Sequence, residues 1–172
     1  MDFLIHSHVT VAAARTGPDD QLNERHWSYL DGFADALTAR GPTLGPDRET
    51  WTGSMHVVDL PSCAAVRRFL ADEPYEQAGL FASHDTWGFT NLLGRTMWER
   101  PGGTGGTRGT TYLVFSPEPL SLPHEHLLMS GELHLPDGGP AGCAAAVEVP
   151  DRGVLDSVPG ASVHDWEPGG RR

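Results

Sequence analysis

The sequence predicts an α+β fold made of two related units, and three observations carry that expectation. Short apolar, β-rich runs alternate with amphipathic stretches in the order β-α-β-α-β. A glycine-rich stretch, PGGTGGTRGTT, divides the chain near its middle. Beyond it the strand motifs return at nearly constant spacing. At 172 residues and 18.6 kDa the chain has room for one ordinary domain or two small ones.

Phe3 to Val11 alternates and is β-rich, which predicts the first strand. Gly17-Pro18-Asp19-Asp20 is a turn that supplies a helix N-cap. From Gln21 to Arg40, the residues Trp27, Leu30, Phe33, Ala34 and Leu37 share one helical stripe, and Gly41 stands where it would end that helix. A short strand fits near Thr43. Gly53 to Leu60 reads as a buried strand, and Pro61-Ser62 caps a second helix whose inward side is Ala65, Val66, Phe69 and Leu70. Leu80 to Phe89 is a further strand-like run. This order is the signature of a ferredoxin-like unit.

The pattern then starts again. Thr111 to Ser116 resembles Phe3 to Ser7, and a short segment around Pro123 to Met129 replaces the long first helix. Gly131 to Pro136 lies against Gly41 to Pro46 at an offset of 90 (131 − 41), and Gly142 to Pro150 against Gly53 to Pro61 at 89 (142 − 53). Asp151 to Val158 makes a shorter second helix, and His164-Asp165-Trp166 echoes His84-Asp85-Thr86-Trp87. Chance likeness between Gly/Pro-rich segments is the alternative to a degenerate tandem repeat. On the repeat reading, the chain divides into a unit over 1–93, a linker over 94–110, a shortened unit over 111–168 and a tail over 169–172.

Composition narrows the function classes. The net charge is −11, from 12 cations and 23 carboxylates, so phosphate backbones and anionic membranes are poor partners. All the cations are arginine, which removes Schiff-base lysines and a P-loop lysine. Cys63 and Cys143 are too few for a disulfide scaffold or a thiolate zinc site, and both read as small buried hydrophobes. No apolar run approaches the ~20 residues of a membrane span. The start MDFLIHSHV lacks the basic, long-apolar pattern of a signal peptide, so a cytoplasmic location is expected.

Arg25-His26-Trp27-Ser28-Tyr29-Leu30, then Gly45-Pro46, Gly53-Ser54 opening a Val-rich strand, and Glu73-Pro74-Tyr75 leading into Ala78-Gly79-Leu80-Phe81 together resemble a YCII-related (YciI-like) domain over roughly residues 1–90. The resemblance implies a dimeric α+β barrel, in which two ferredoxin-like units pack their sheets together. The family is largely of unknown function, with a suspected His/Asp active site and one branch active in chlorinated hydroquinone dechlorination. Relatives in the wider barrel superfamily include muconolactone isomerases and small monooxygenases. With the repeat, a single chain can build the two-sheet barrel as a pseudo-dimer. Association of two such chains into a homodimer stays open.

His26 matches the family histidine at the start of the first helix. Half shielded by Trp27 and Tyr29, it can titrate near neutrality and move a proton. The alternative is a structural histidine bonded to a strand carbonyl. Asp72 and Glu73 stand where the family has Asp-Pro, and either can orient or charge-stabilise His26. Where members often carry an acid, this chain has His6-Ser7-His8, and alternation puts His6 and His8 on one strand face. With Ser54, His56 and His84 on neighbouring strands, several imidazoles are expected to line one ligand pocket with Trp27. The pair His6/His8, like His124-Glu125-His126, is also a metal-site pattern. Spacing identifies no third fixed ligand, so neither a metal nor another cofactor is expected.

The expected function is therefore a small, cofactor-independent enzyme using His26-centred acid/base chemistry on a small, aromatic or polyketide-like metabolite, by isomerisation, cyclisation, dehydration or elimination. His26, Glu73 and Asp72 are the catalytic candidates; His6, His8, Ser54, His84 and Trp27 are the pocket candidates. The alternative is a non-catalytic protein of the same fold that binds a small molecule or stabilises a partner.

Overall fold

The computed structural model describes residues 1–100 and 109–169. Eight strands close into one barrel in the order β1-β3-β2-β8-β5-β7-β6-β4, and every neighbouring pair is antiparallel. The first half contributes β1 (Asp2–Val9), β2 (Leu37–Leu44), β3 (Trp51–Asp59) and β4 (Phe81–Asn91). The second contributes β5 (Thr110–Ser116), β6 (Leu127–His134), β7 (Pro140–Val149) and β8 (Ser162–Trp166). Within the barrel each half runs in the same order, fourth-first-third-second. Two seams join the halves, β2 on β8 and β4 on β6. Beside the first seam Arg48 Nη1 donates to Asp165 Oδ1 at 2.6 Å.

Helices cover the outside. Between β1 and β2 lie α1 (Val11–Thr16) and α2 (Asp20–Asp31), the latter capped by Asp19, whose Oδ1 accepts from Leu22 N at 2.7 Å. Between β3 and β4 lie α3 (Cys63–Ala71), capped by Ser62, and the single turn α4 (Pro74–Gln77). Among the described residues the second half carries one α-helix, α5 (Gly153–Asp156). Alternation along each strand separates a lumen core from two outer ones, of which the second half's holds Tyr112, Val114, Val147 and Leu155. Leu4, Met55, Val57, Phe89, Leu113, Met129 and Trp166 fill the barrel lumen. Phe3, Ile5 and Val58 face outward and pack with Leu30, Val66 and Phe69 under the helices. No helix among the described residues is long and apolar enough to cross a membrane.

Four sequence expectations are corrected. The helix expected to run to Arg40 ends at Asp31, where Gly32 N–H turns back to the Tyr29 and Leu30 carbonyls. Leu37 and Ala39 belong to β2 instead. The stripe misled because Phe33 and Leu37 do pack inward, but from a turn and a strand. Gly41 is not a helix terminator: it sits in β2, where a Cβ would come within 1.9 Å of the Glu167 carbonyl oxygen. The stretch expected as a linker is partly built in. Met97 is buried in the lumen core, and Arg95 Nη2 donates to the Leu127 carbonyl at 2.8 Å; residues 101–108 lie outside the described residues. Cys143 is buried as expected, whereas Cys63 opens α3 on the surface. Pro123 to Met129 holds a 3-10 turn, His124–His126, followed by the start of β6.

Candidate active site

The first half's sheet has a helix side and a lumen side, and period-two alternation along β1 sorts its histidines between them. Ser7 points to the helix side, opposite Ser54 on β3 and His84 on β4. His6 and His8 point to the lumen. One pocket holding all the imidazoles is therefore impossible, because the sheet itself stands between the two sets.

The helix-side cavity encloses about 420 Å³. Its floor is β2 and β3, with Arg40, Ser54 and His56; its walls are Asn23, His26 and Trp27 of α2, Tyr75 of α4 and Trp51. The C-terminal segment closes one side. Glu167 N donates to the Pro42 carbonyl at 3.2 Å and Gly169 N to the Arg40 carbonyl at 2.8 Å, which lays Glu167, Pro168 and Gly169 along the cavity edge. A volume of this size suits a small ring-bearing molecule.

His26 is 7% exposed and Glu73 2%. His26 Nδ1 and Glu73 Oε1 are 2.5 Å apart. The other carboxylate oxygen accepts from Glu76 N at 2.9 Å, capping α4, so Glu73 is held at both oxygens. A carboxylate can only accept, so the proton of this contact sits on Nδ1, and Nε2 is the nitrogen left to serve the cavity. The imidazole stacks on Tyr75, 4.0 Å between ring centres and 9° from parallel, and the Tyr75 hydroxyl donates to Asn23 Oδ1. Burial and the Glu73 charge push the Tyr75 phenol up, which keeps it a proton-bearing donor. His56 lies 6.2 Å from His26 between ring centres. Burial, then repulsion from His26, Arg40 and His84, pulls its pKa down to about 3, so it stands as a neutral imidazole.

The candidates thus separate. His26, Trp27 and Ser54 share the cavity, and Glu73 stands directly behind His26. Asp72 does not reach it: the residue ends α3 on the surface, one position too early for the turn that aims Glu73 inward. His84 faces the helix side but outside this cavity, tied between Ser7 Oγ at 2.8 Å and Glu76 Oε2 at 3.0 Å. His6 and His8 are in the lumen, in a second cavity of about 370 Å³ with Trp87, Phe115 and His164. There Asp85, register partner of His6 on β4, joins the pair, and one donor atom each of His6, His8 and Asp85 lies within 4.8 Å of the other two, a group that could hold a metal ion. His8 Nε2 and Asp85 Oδ2 are 2.8 Å apart. Burial and the neighbouring His8 and His164 take His6 down to about 3. Sequence reasoning missed Arg40, Tyr75 and Asn23 at the cavity. Arg40 was hidden by the overlong helix, although an arginine in a β2 segment otherwise apolar on that side was its signal.

A family model, the YCII-related domain, matches residues 1–90. The chain belongs to the YCII-related family. The match spans the half that holds His26, Glu73 and the cavity, while β5 to β8 lie beyond it. A solved structure, 5-chloro-2-hydroxyhydroquinone dehydrochlorinase (TftG) from Burkholderia phenoliruptrix AC1100 in complex with 2,5-dihydroxybenzoquinone, is similar at 28% identity over 50% of this chain and 90% of that chain, with a TM-score of 0.44. No curated protein matches the chain.

Proposed function

We propose that this YCII-related chain is an enzyme that moves protons on a small, ring-bearing or enolisable molecule held in the His26 cavity. The observation that carries this is the buried 2.5 Å contact between His26 Nδ1 and Glu73 Oε1 at the cavity wall. A carboxylate behind the imidazole fixes its tautomer, aims Nε2 at the ligand and stabilises the imidazolium that proton abstraction creates. In the step we infer, Nε2 takes a proton from carbon next to a carbonyl; the C–H electron pair forms the C=C bond and the C=O π pair moves to oxygen, giving an enolate. Arg40, buried in the cavity floor, supplies positive charge for that oxygen. Return of the proton at another carbon gives isomerisation; departure of a group from the β carbon with its electron pair gives elimination. Trp27, Trp51 and Tyr75 supply aromatic walls for a ring.

The test follows solvent deuterium exchange into cyclic ketones such as 2-tetralone by NMR, with binding read from tryptophan fluorescence. Wild-type protein should accelerate exchange, and His26→Gln should lose about 10²–10⁴ of that acceleration. Binding without acceleration in the wild type would favour a non-catalytic binding protein.

We also infer that the chain is a duplicated ferredoxin-like unit, over about 1–93 and 111–168, acting as its own pseudo-dimer, and that its setting is the cytoplasm. Supporting the duplication, β2 and β6 have equal length and start 90 residues apart (127 − 37). Gly53 and Gly142 also do one job in each half. A Cβ on Gly53 would stand 2.1 Å from the Ser7 carbonyl oxygen, and one on Gly142 would stand 2.5 Å from that of Ser116. Each glycine lets the third strand of its half cross closely over the end of the first.

A further inference from the structure

We propose that His6, His8 and Asp85 bind a divalent first-row transition-metal ion at the lumen mouth, on the sheet face opposite the His26 cavity. The placement follows from strand geometry. His6 and His8 are two apart on β1, and their ring centres are 4.2 Å apart. Asp85 stands across from His6 on β4. Ligands fixed on adjacent paired strands are held more firmly than ligands on loops. A metal with bonds of about 2.0–2.2 Å to imidazole nitrogen and carboxylate oxygen needs ligand atoms roughly 3–4 Å apart, a spacing that the 4.8 Å limit of this trio accommodates. Among the described residues this is the one trio of His, Cys, Asp or Glu that converges so closely. The other sequence pattern, His124-Glu125-His126, forms no such converging trio among the described residues.

The surroundings support a site more than a surface ion pair. His6 is 3% exposed and stacks on Phe115 of β5, 5.4 Å between ring centres, so its ring is held from across the barrel. His8 and Asp85 are more exposed and leave a path for the ion. Two imidazoles and one carboxylate suit zinc, iron(II), cobalt(II) or manganese(II) better than calcium or magnesium. Three protein ligands leave coordination positions open toward the 370 Å³ lumen cavity, which also holds His164, 5.1 Å from His6 between ring centres. Such an open site takes water or an anionic ligand oxygen besides the protein. The net charge of −11 favours cation capture.

The experiment uses full-length protein stripped with chelator and titrated with Co²⁺, read by its visible absorption, and with Zn²⁺, read by calorimetry. About one ion per chain is expected. His8→Ala and Asp85→Asn, both at partly open positions, should weaken binding by at least the roughly 10–100-fold that even an outer-sphere partner costs. His124→Ala should bind like wild type. Circular dichroism of each variant separates ligand loss from unfolding. Failure of the wild type to bind either ion in the micromolar range overturns the proposal. So does full binding by both His8→Ala and Asp85→Asn, or loss of binding in His124→Ala.

Discussion

The two faces of the first half's sheet take the same residue type to opposite ends. On the helix side, His26 is closed in by Tyr75 and backed by Glu73, with one ring nitrogen committed and the other facing a cavity. On the lumen side, His6, His8 and Asp85 crowd together at an open mouth, and their ligand atoms converge on one another. What separates them is cover. Helices α2 and α4 bury the first set, and Glu73, the cap of α4, is its acid. On the two proposals, burial with one fixed partner suits proton transfer, and convergence with access suits ion binding.

The largest expected effect on stability contrasts two neighbouring acids. Glu73→Ala leaves the buried His26 Nδ1–H without an acceptor and removes the cap of α4, and should cost about 2–4 kcal/mol. Asp72→Ala touches a surface helix end and should stay within about 0.5 kcal/mol. Urea unfolding of both variants measures the gap. Similar costs would mean that Glu73 is not the acid holding His26. The same contact makes His26→Ala a poor probe, since it strands the Glu73 carboxylate in the interior; His26→Gln keeps a donor there.

Much of this was legible from residues alone. The strands near Phe3, Gly53, Thr111 and Gly142, the Asp19 and Ser62 caps and an acid at Asp72 or Glu73 beside His26 all rest on local patterns: alternation, capping side chains and a family motif; that the acid is Glu73 came from the turn into α4. What was not legible depends on contacts distant in sequence. Gly41 looks like a helix stop until the C-terminal segment is laid across it. Asp85 joins His6 and His8 only through the β1–β4 register, 77 residues from His8. The division of the histidines into two sites follows from alternation, but only once the sheet is known to be covered on both faces.

The next effect sharpens the comparison through pH. His56 faces His26 on α2, Arg40 on β2 and His84 on β4, and its folded pKa of about 3 lies below the ordinary 6.5. Between those values the unfolded chain takes a proton that the folded chain refuses. Its contribution is intact above about pH 6.5 and is lost as pH falls toward 3, by at most ~1.4 kcal/mol per pH unit. His56→Gln should flatten that part of the stability profile measured at pH 7, 6 and 5. Parallel profiles for variant and wild type would show that His56 is not the buried neutral base described.

The last prediction tests whether the second half completes the first half's cavity. Removing residues 167–172 deletes the bonds from Glu167 N to the Pro42 carbonyl and from Gly169 N to the Arg40 carbonyl. At about 0.5–1.5 kcal/mol for each bond, the cost should be about 1–3 kcal/mol. Trp166 stays in place, so the lumen core and the β2–β8 seam persist. The loss should therefore fall on the helix side: a probe ketone should bind the shortened protein more weakly, while the Co²⁺ titration at His6, His8 and Asp85 stays unchanged. Gly41→Ala, whose Cβ overlaps the Glu167 carbonyl, should reproduce the weaker ketone binding within the full chain. Unchanged ketone affinity in both proteins would mean that the segment lies along β2 without shaping the cavity, and that the first half forms its site alone.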